Sequence, residues 1–148
     1  MVENERAALF LIRSVFSRLD VPCRLAGMDP PASLSAAAAP YPHITIEANP
    51  PAARMEELIR EAQIHMLVTF QDTGLKLKLL NSLFAGRHTV VNSLMLAGSG
   101  LDDLCHIADT PEDMVAACRQ LMAQPFTPEL LAKRKDYLFP TYSNAYQC

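Results

Sequence analysis

Gly74, Lys78, Asn81 and Ala85 stand at i, i+4, i+7 and i+11. On a helix these positions form one narrow stripe of small and polar residues. Leu75, Leu79, Leu80 and Leu83 then cover a wide apolar face. A glycine at the helix start, followed by a lysine and an asparagine, suits an anionic ligand lying against the first turn. The free N–H groups and the positive end of the helix dipole already favour a phosphate there, and an ammonium group adds a full charge. The same stripe also fits the solvated face of an ordinary amphipathic helix. Lys76 projects from the other side, where its stem can snorkel past Leu79 and Leu83.

Other reactive residue types form no constellation. His43, His65, His88 and His106 are scattered, and no pair has the helical spacing of metal ligands, so no metal site is expected. Cys23, Cys105, Cys118 and Cys148 include no CxxC and read as reduced thiols. No Ser/His/Asp arrangement emerges, and no catalytic residue is assigned.

The elements that must hold the stripe come from the stretch Ile64 to Asn92. Ile64 to Phe70 is an apolar run without Gly or Pro, the pattern of a strand buried on both faces. Gln71 to Gly74 is turn chemistry. Leu75 to Ala85 alternates at first, as LKLKL, yet its length predicts a helix. Gly86 is suited to close that helix in the left-handed conformation. His88 to Val91 is β-branched and apolar again. Strand, helix and strand make a βαβ unit and hence a parallel sheet.

The run GLKLKLLNSLFAGRHTVVN resembles the donor-binding core of GT-B glycosyltransferases of the retaining, glycogen-synthase-like type. Gly74, Lys78, Gly86, Val90 and Val91 match that pattern. Three positions depart from it: Asn81 and Thr73 stand where two acids are usual, and His88 where a proline is usual. The resemblance implies transfer of a sugar from a nucleotide-diphosphate donor without a cofactor or Mg²⁺. Lys78 would contact the diphosphate, the amides of Thr73 and Gly74 would face phosphate or sugar hydroxyls, and Asn81 would stand near the ribose. An amide can pair with a diol but carries no charge. The acceptor, a glycan or lipid-linked glycan, is left undefined. Two alternatives stay open: a nucleotide-sugar epimerase-like domain, and a degenerate domain that only mediates subunit contacts.

The 148 residues suffice for one domain with one core. Half are hydrophobic and the net charge is −3, which leaves no electrostatic footprint for nucleic acid. No window is long and apolar enough for a transmembrane segment, and MVENER has no signal-peptide pattern. A cytoplasmic location is expected.

Along the chain, Glu3 to Leu19 predicts an amphipathic helix and Val21 to Ala26 a strand. Ser33 to Ala39 reads as a short helix or loose loop. His43 to Glu47 predicts a third-layer or edge strand. A helix follows to about Gln63, with Asn49 as its cap, Pro50 in its first turn, and Met55, Leu58, Ile59 and Ala62 buried. Gly98 and Gly100 in the loop Ser93 to Asp103 imply unusual backbone angles. Leu104 to Ala108 predicts a last strand. Thr110, Pro111 and Asp113 signal a helix that buries Met114, Val115, Cys118, Leu121 and Met122, and Thr127 and Pro128 signal another, which Pro140 ends or kinks. The order predicts a Rossmann-like three-layer α/β sandwich, a parallel sheet with helices on both faces. The first strand of such a sheet lies in its middle, between the second and the fourth. Nothing ahead of Glu3 supplies it, so the chain resembles an N-terminally truncated donor domain. Its second and fourth strands must then pair directly, or leave a gap that favours self-association.

Overall fold

The computed structural model describes residues 2–70 and 77–134. The first helical stretch begins as α1 (Val2–Phe10), widens to a π-helical turn over Leu11–Val15 and tightens to a 3₁₀ turn over Phe16–Arg18. Leu11, Ile12, Val15, Phe16 and Leu19 of this stretch are buried in the core, on one face at helical spacing. Five strands and four further helices follow: β1 (Cys23–Gly27), α2 (Ala32–Ala38), β2 (Ile44–Ala48), α3 (Ala52–Glu61), β3 (Ile64–Leu67), α4 (Leu77–Ala85), β4 (His88–Val91), β5 (His106–Ile107) and α5 (Pro111–Met122). Residues 128–134 are again helical.

The architecture is α/β, with every strand pair parallel. The strands form two small sheets rather than one: β1 with β2, and β3-β4-β5 with β4 central. Alternate residues of the second sheet feed opposite cores. Ile64, Met66 and Val90 pack with α1, α2 and α5, while Leu67 and Val91 pack with Leu79, Leu80 and Leu83 of α4. Helices therefore cover both faces. All four residues of β4 are buried, as expected of a strand with neighbours on both sides.

Several expectations need correction. The strand at Ile64 ends at Leu67, and the last strand shrinks to His106–Ile107 because Asp102–Leu104 turns as 3₁₀ helix. Asn49 does not cap α3. Pro50 disfavours the helical region for the residue before it, and Asn49 instead adopts φ 51°. Its Oδ1 accepts from the Asp29 amide at 2.8 Å. Helix α3 buries none of Met55, Leu58, Ile59 or Ala62, which stay half-buried. Met122 is exposed on the outer side of α5. The predicted Thr110 cap is present, accepting from the Asp113 amide at 3.1 Å with Pro111 in the first turn. Gly98 and Gly100 do carry positive φ, 73° and 70°. Pro140 lies outside the described residues.

Gly86 follows α4 as expected but not in the left-handed conformation. A Cβ there would lie 2.6 Å from His65 Nε2 and 2.7 Å from the Ser82 carbonyl oxygen, so glycine is needed for close approach. The His65 ring beneath it donates from Nε2 to the Ile59 carbonyl at 2.7 Å. Burial lowers the pKa of this imidazole below its ordinary 6.5, against the opposing pull of that hydrogen bond. The unfolded chain therefore binds the proton more tightly. The contribution of His65 to stability is complete above pH 6.5 and is lost as pH falls through the lower folded value. Between about pH 7 and about pH 5 the melting temperature should fall, and more steeply for the native chain than for His65→Gln, which keeps an N–H for Ile59. Equal slopes in calorimetric melts would remove His65 from that role.

Candidate functional site

In an open parallel sheet, ligands bind outside the carboxyl ends of the strands, where the strand order reverses. Here β1-β2 and β3-β4-β5 are separate sheets, and the carboxyl ends of both form the corresponding edge. Helix α4 ends two residues before β4 starts, so it closes near the amino edge of the sheet. Its nine residues, about 13 Å long, run back from the carboxyl side.

Lys78 and Asn81 lie in α4. Their side chains, like Thr73 and Gly74 as a whole, lie outside the described residues.

The described residues of the carboxyl edge form a set of clamps. Asn92 donates from Nδ2 to the Thr69 carbonyl at 2.7 Å, and its Oδ1 accepts from the Thr69 and Met95 amides, each at 3.3 Å. One side chain thus ties the ends of β3 and β4 together. Asp109, just past β5, accepts from the Ser93 hydroxyl at 2.5 Å and the Ser93 amide at 2.7 Å. The Ser93 hydroxyl, then its amide, hold the Asp109 carboxyl below the usual carboxylate range. Both Asp109 oxygens are engaged, so this acid positions a loop rather than serving as a free base. On the far side of the edge, the Ser33 hydroxyl donates to Glu5 at 2.5 Å. The Arg6 guanidinium stacks over the Phe70 ring at 4.2 Å, and Phe10 meets the same ring edge-on at 5.6 Å.

No activated nucleophile occurs among the described residues. Burial pushes the thiols of Cys23, Cys105 and Cys118 up to about 11, so each stays protonated at neutral pH. All three are free, as expected; Cys148 lies outside the described residues. No group of three His, Cys, Asp or Glu residues with metal-binding geometry occurs among the described residues. No described helix is long and apolar enough to cross a membrane.

Arg134 was not foreseen. Its Nη1 donates to the Gly86 carbonyl at 2.9 Å and the Leu83 carbonyl at 3.3 Å, and its Nη2 to the Arg87 carbonyl at 2.9 Å. Phe126 stacks on the guanidinium at 4.5 Å. His88 in turn lies edge-on to Phe126 at 5.2 Å and donates to the Gln124 carbonyl at 3.0 Å. Only 5% of Arg134 is exposed, and burial pushes its pKa down to about 10, still charged at neutral pH. A cation at the carbonyl end of α4 complements the helix dipole. Nothing in AKRK marks the middle one of its three cations for this role. Comparison with protein-family models, curated proteins and solved structures finds no match.

Three hydrogen bonds from one buried guanidinium make Arg134 a strong anchor. Arg134→Met should cost about 3 kcal/mol of unfolding free energy in urea titrations, through loss of charged hydrogen bonds. Arg134→Lys should recover only part of it, because an ammonium lacks the planar fork. Full recovery by lysine would show that charge alone matters there.

Proposed function

We propose that this chain is a nucleotide-binding domain that takes a diphosphate-bearing nucleotide at the carboxyl edge of its parallel sheets. More finely, it is read as the donor half of a retaining GT-B-type glycosyltransferase. One observation supports the coarser reading: α4 runs back from the carboxyl side of β3 to parallel β4, the course of the helix in a βαβ unit, whose helix start faces the carboxyl side where nucleotides commonly bind. The finer reading rests on the resemblance of the segment from Gly74 to Val91. In it, Lys78 and the amides at Thr73 and Gly74 meet the diphosphate. The developing charge of the leaving group is stabilised by a helix N-terminus and a fixed cation, with no proton transfer needed there. Asn81 pairs with ribose hydroxyls as a neutral partner. The free, protonated thiols and the occupied Asp109 fit a half-molecule that binds while the acceptor chemistry comes from elsewhere.

A second reading, a non-catalytic domain for subunit contacts, is favoured by the half-buried apolar residues of α3.

Calorimetric titration with UDP, GDP and ADP separates the two. The proposal expects one diphosphate to bind and Lys78→Ala to weaken it by about 1.5–3 kcal/mol, the size of a lost charge-assisted hydrogen bond. Lys76→Ala should change it far less. Equal effects of both substitutions would sink the assignment of the lysines. No binding of any of the three nucleotides would overturn the nucleotide reading itself.

A further inference from the structure

The chain after α5 is docked chiefly by one side chain. Helix 128–134 starts at Thr127, whose hydroxyl accepts from the Leu130 amide at 3.3 Å and whose carbonyl accepts from the Leu131 amide. Of its residues only Arg134 is buried; Leu131 is half-buried and the others are exposed. Phe126, half-buried in the link from α5, stacks on the Arg134 guanidinium and meets the His88 ring edge-on. A helix this short is not stable by itself in water, so it exists only while docked. Its docking rests on the three carbonyls that hold Arg134 and on the Phe126 ring. Segments with so little apolar cover open well before the core does.

The buried charge has no counter-ion. No carboxylate pairs with Arg134, His65 or His106 among the described residues. Gly86 lies between two of these groups: its carbonyl accepts from Arg134 at 2.9 Å, and the His65 ring presses on the space a Cβ would fill. His88 leads to the third, with its ring centroid 5.2 Å from Phe126 and 5.8 Å from His106. The neighbouring elements supply no acid. Strand β4 adds exposed Arg87, and helix 128–134 adds exposed Glu129 and Lys133. Asp102 and Asp103, in the turn before β5, are exposed, and Asp102 acts on the Cys105 thiol. On α3, Glu56, Arg60 and Glu61 are exposed and Glu57 is engaged by Arg54; on α5, Glu112 and Arg119 are turned to Arg18. A proton on His65 or His106 therefore sets a second cation near a buried guanidinium whose hydrogen-bond partners are neutral carbonyls.

We infer that helix 128–134 is an acid-released latch, docked through Arg134 at neutral pH and undocked when His65 and His106 take up protons. The direction follows from linkage. Both imidazoles are held below their ordinary 6.5: His65 by burial first, against its hydrogen bond to Ile59, and then by Arg134; His106 by partial burial first, then by His88 and Arg134. Undocking takes the Arg134 charge away, so the undocked form binds these protons more tightly. The latch is therefore closed above pH 6.5 and opens as pH falls through the lower docked values. His106 is exposed, so water screens its share, and His65 carries the larger one. Undocking frees the Leu83, Gly86 and Arg87 carbonyls and bares the His88 ring. The latch uses only the amino-edge end of α4 and is independent of any nucleotide.

Amide exchange followed by NMR on the full chain, with each rate corrected for the intrinsic pH dependence of exchange, separates the latch from the core. Between about pH 7 and about pH 5 the protection of Leu131 should fall about fivefold or more, while that of Val90 in β4 falls less. His65→Gln combined with His106→Gln should keep Leu131 protected at both pH values. Ring titrations give the reciprocal measurement: Arg134→Gln should raise the pKa of both His65 and His106. Equal losses at Leu131 and Val90 would overturn the inference, because unfolding of the whole chain accounts for them. So would a Leu131 amide unprotected at neutral pH, an undiminished response in the double variant, or imidazole titrations that ignore Arg134→Gln. If either variant fails to fold, the comparison of Leu131 with Val90 in the native chain decides.

Discussion

No backbone hydrogen bond joins β1 to β3 among the described residues, so side chains alone hold the two sheets in one body. The main joint is the apolar stripe that begins near the end of α1. Ile12 and Val15 are wholly buried there, each contributing about 1.5–3 kcal/mol relative to exposure. Leu11, Ile12, Val15, Phe16 and Leu19 share one face at helical spacing, and all five stay buried through the π-helical turn and the 3₁₀ turn that follows. Polar ties on the rim of this joint, Arg119 to the Arg18 carbonyl and Arg18 to Glu112, bind α5 to the same stretch. Both are exposed and add little. Burial carries the connection.

The carboxyl edge follows a different logic. Three of the strands there are followed by a polar residue that fixes the neighbouring connection: Asn49 beyond β2, Asn92 beyond β4 and Asp109 beyond β5. Short polar side chains at these places satisfy backbone groups that have left the ladder. The loops are thereby set by the sheet itself, the usual way a parallel sheet presents a ligand position on its rim. The face toward α3 carries its charges in the chain Arg24, Glu47, Arg54 and Glu57, away from that rim.

What the sequence revealed is what local chemistry decides. The stretch LKLKLLNSLFA alternates like a strand at its start, but length and spacing favour a helix, and Leu77–Ala85 is one. Thr110, Pro111 and Asp113 specify a cap that forms with no help from elsewhere. The order of parallel strands followed from apolar runs and turn residues. What stayed hidden depends on distant partners. Gly86 looked like a left-handed helix end, yet its requirement comes from His65, on a different strand. Asn49 had the composition of a cap, but two prolines after it and Asp29 across the turn gave it another place. Met55, Leu58 and Ile59 have helical apolar spacing, which predicts an inward face but not whether anything lies beneath it. Of the candidate site, the sequence located the helix, and the clamps Asn92 and Asp109 were not foreseen because each acts through a loop brought close only by the sheet.

Arg134 and Gly86 connect these observations. Both act on the carbonyl end of α4: one supplies a buried cation to its last carbonyls, the other lets His65 press against the chain just beyond it. A helix fixed at one end and buried along Leu79, Leu80 and Leu83 has its axis determined, and so has the direction in which its first turn points. The start of α4, where a phosphate is proposed to bind, is thus positioned by residues at the opposite edge of the sheet. This separates stability from recognition along one helix. The amino-edge end carries the packing and the buried charge of the helix.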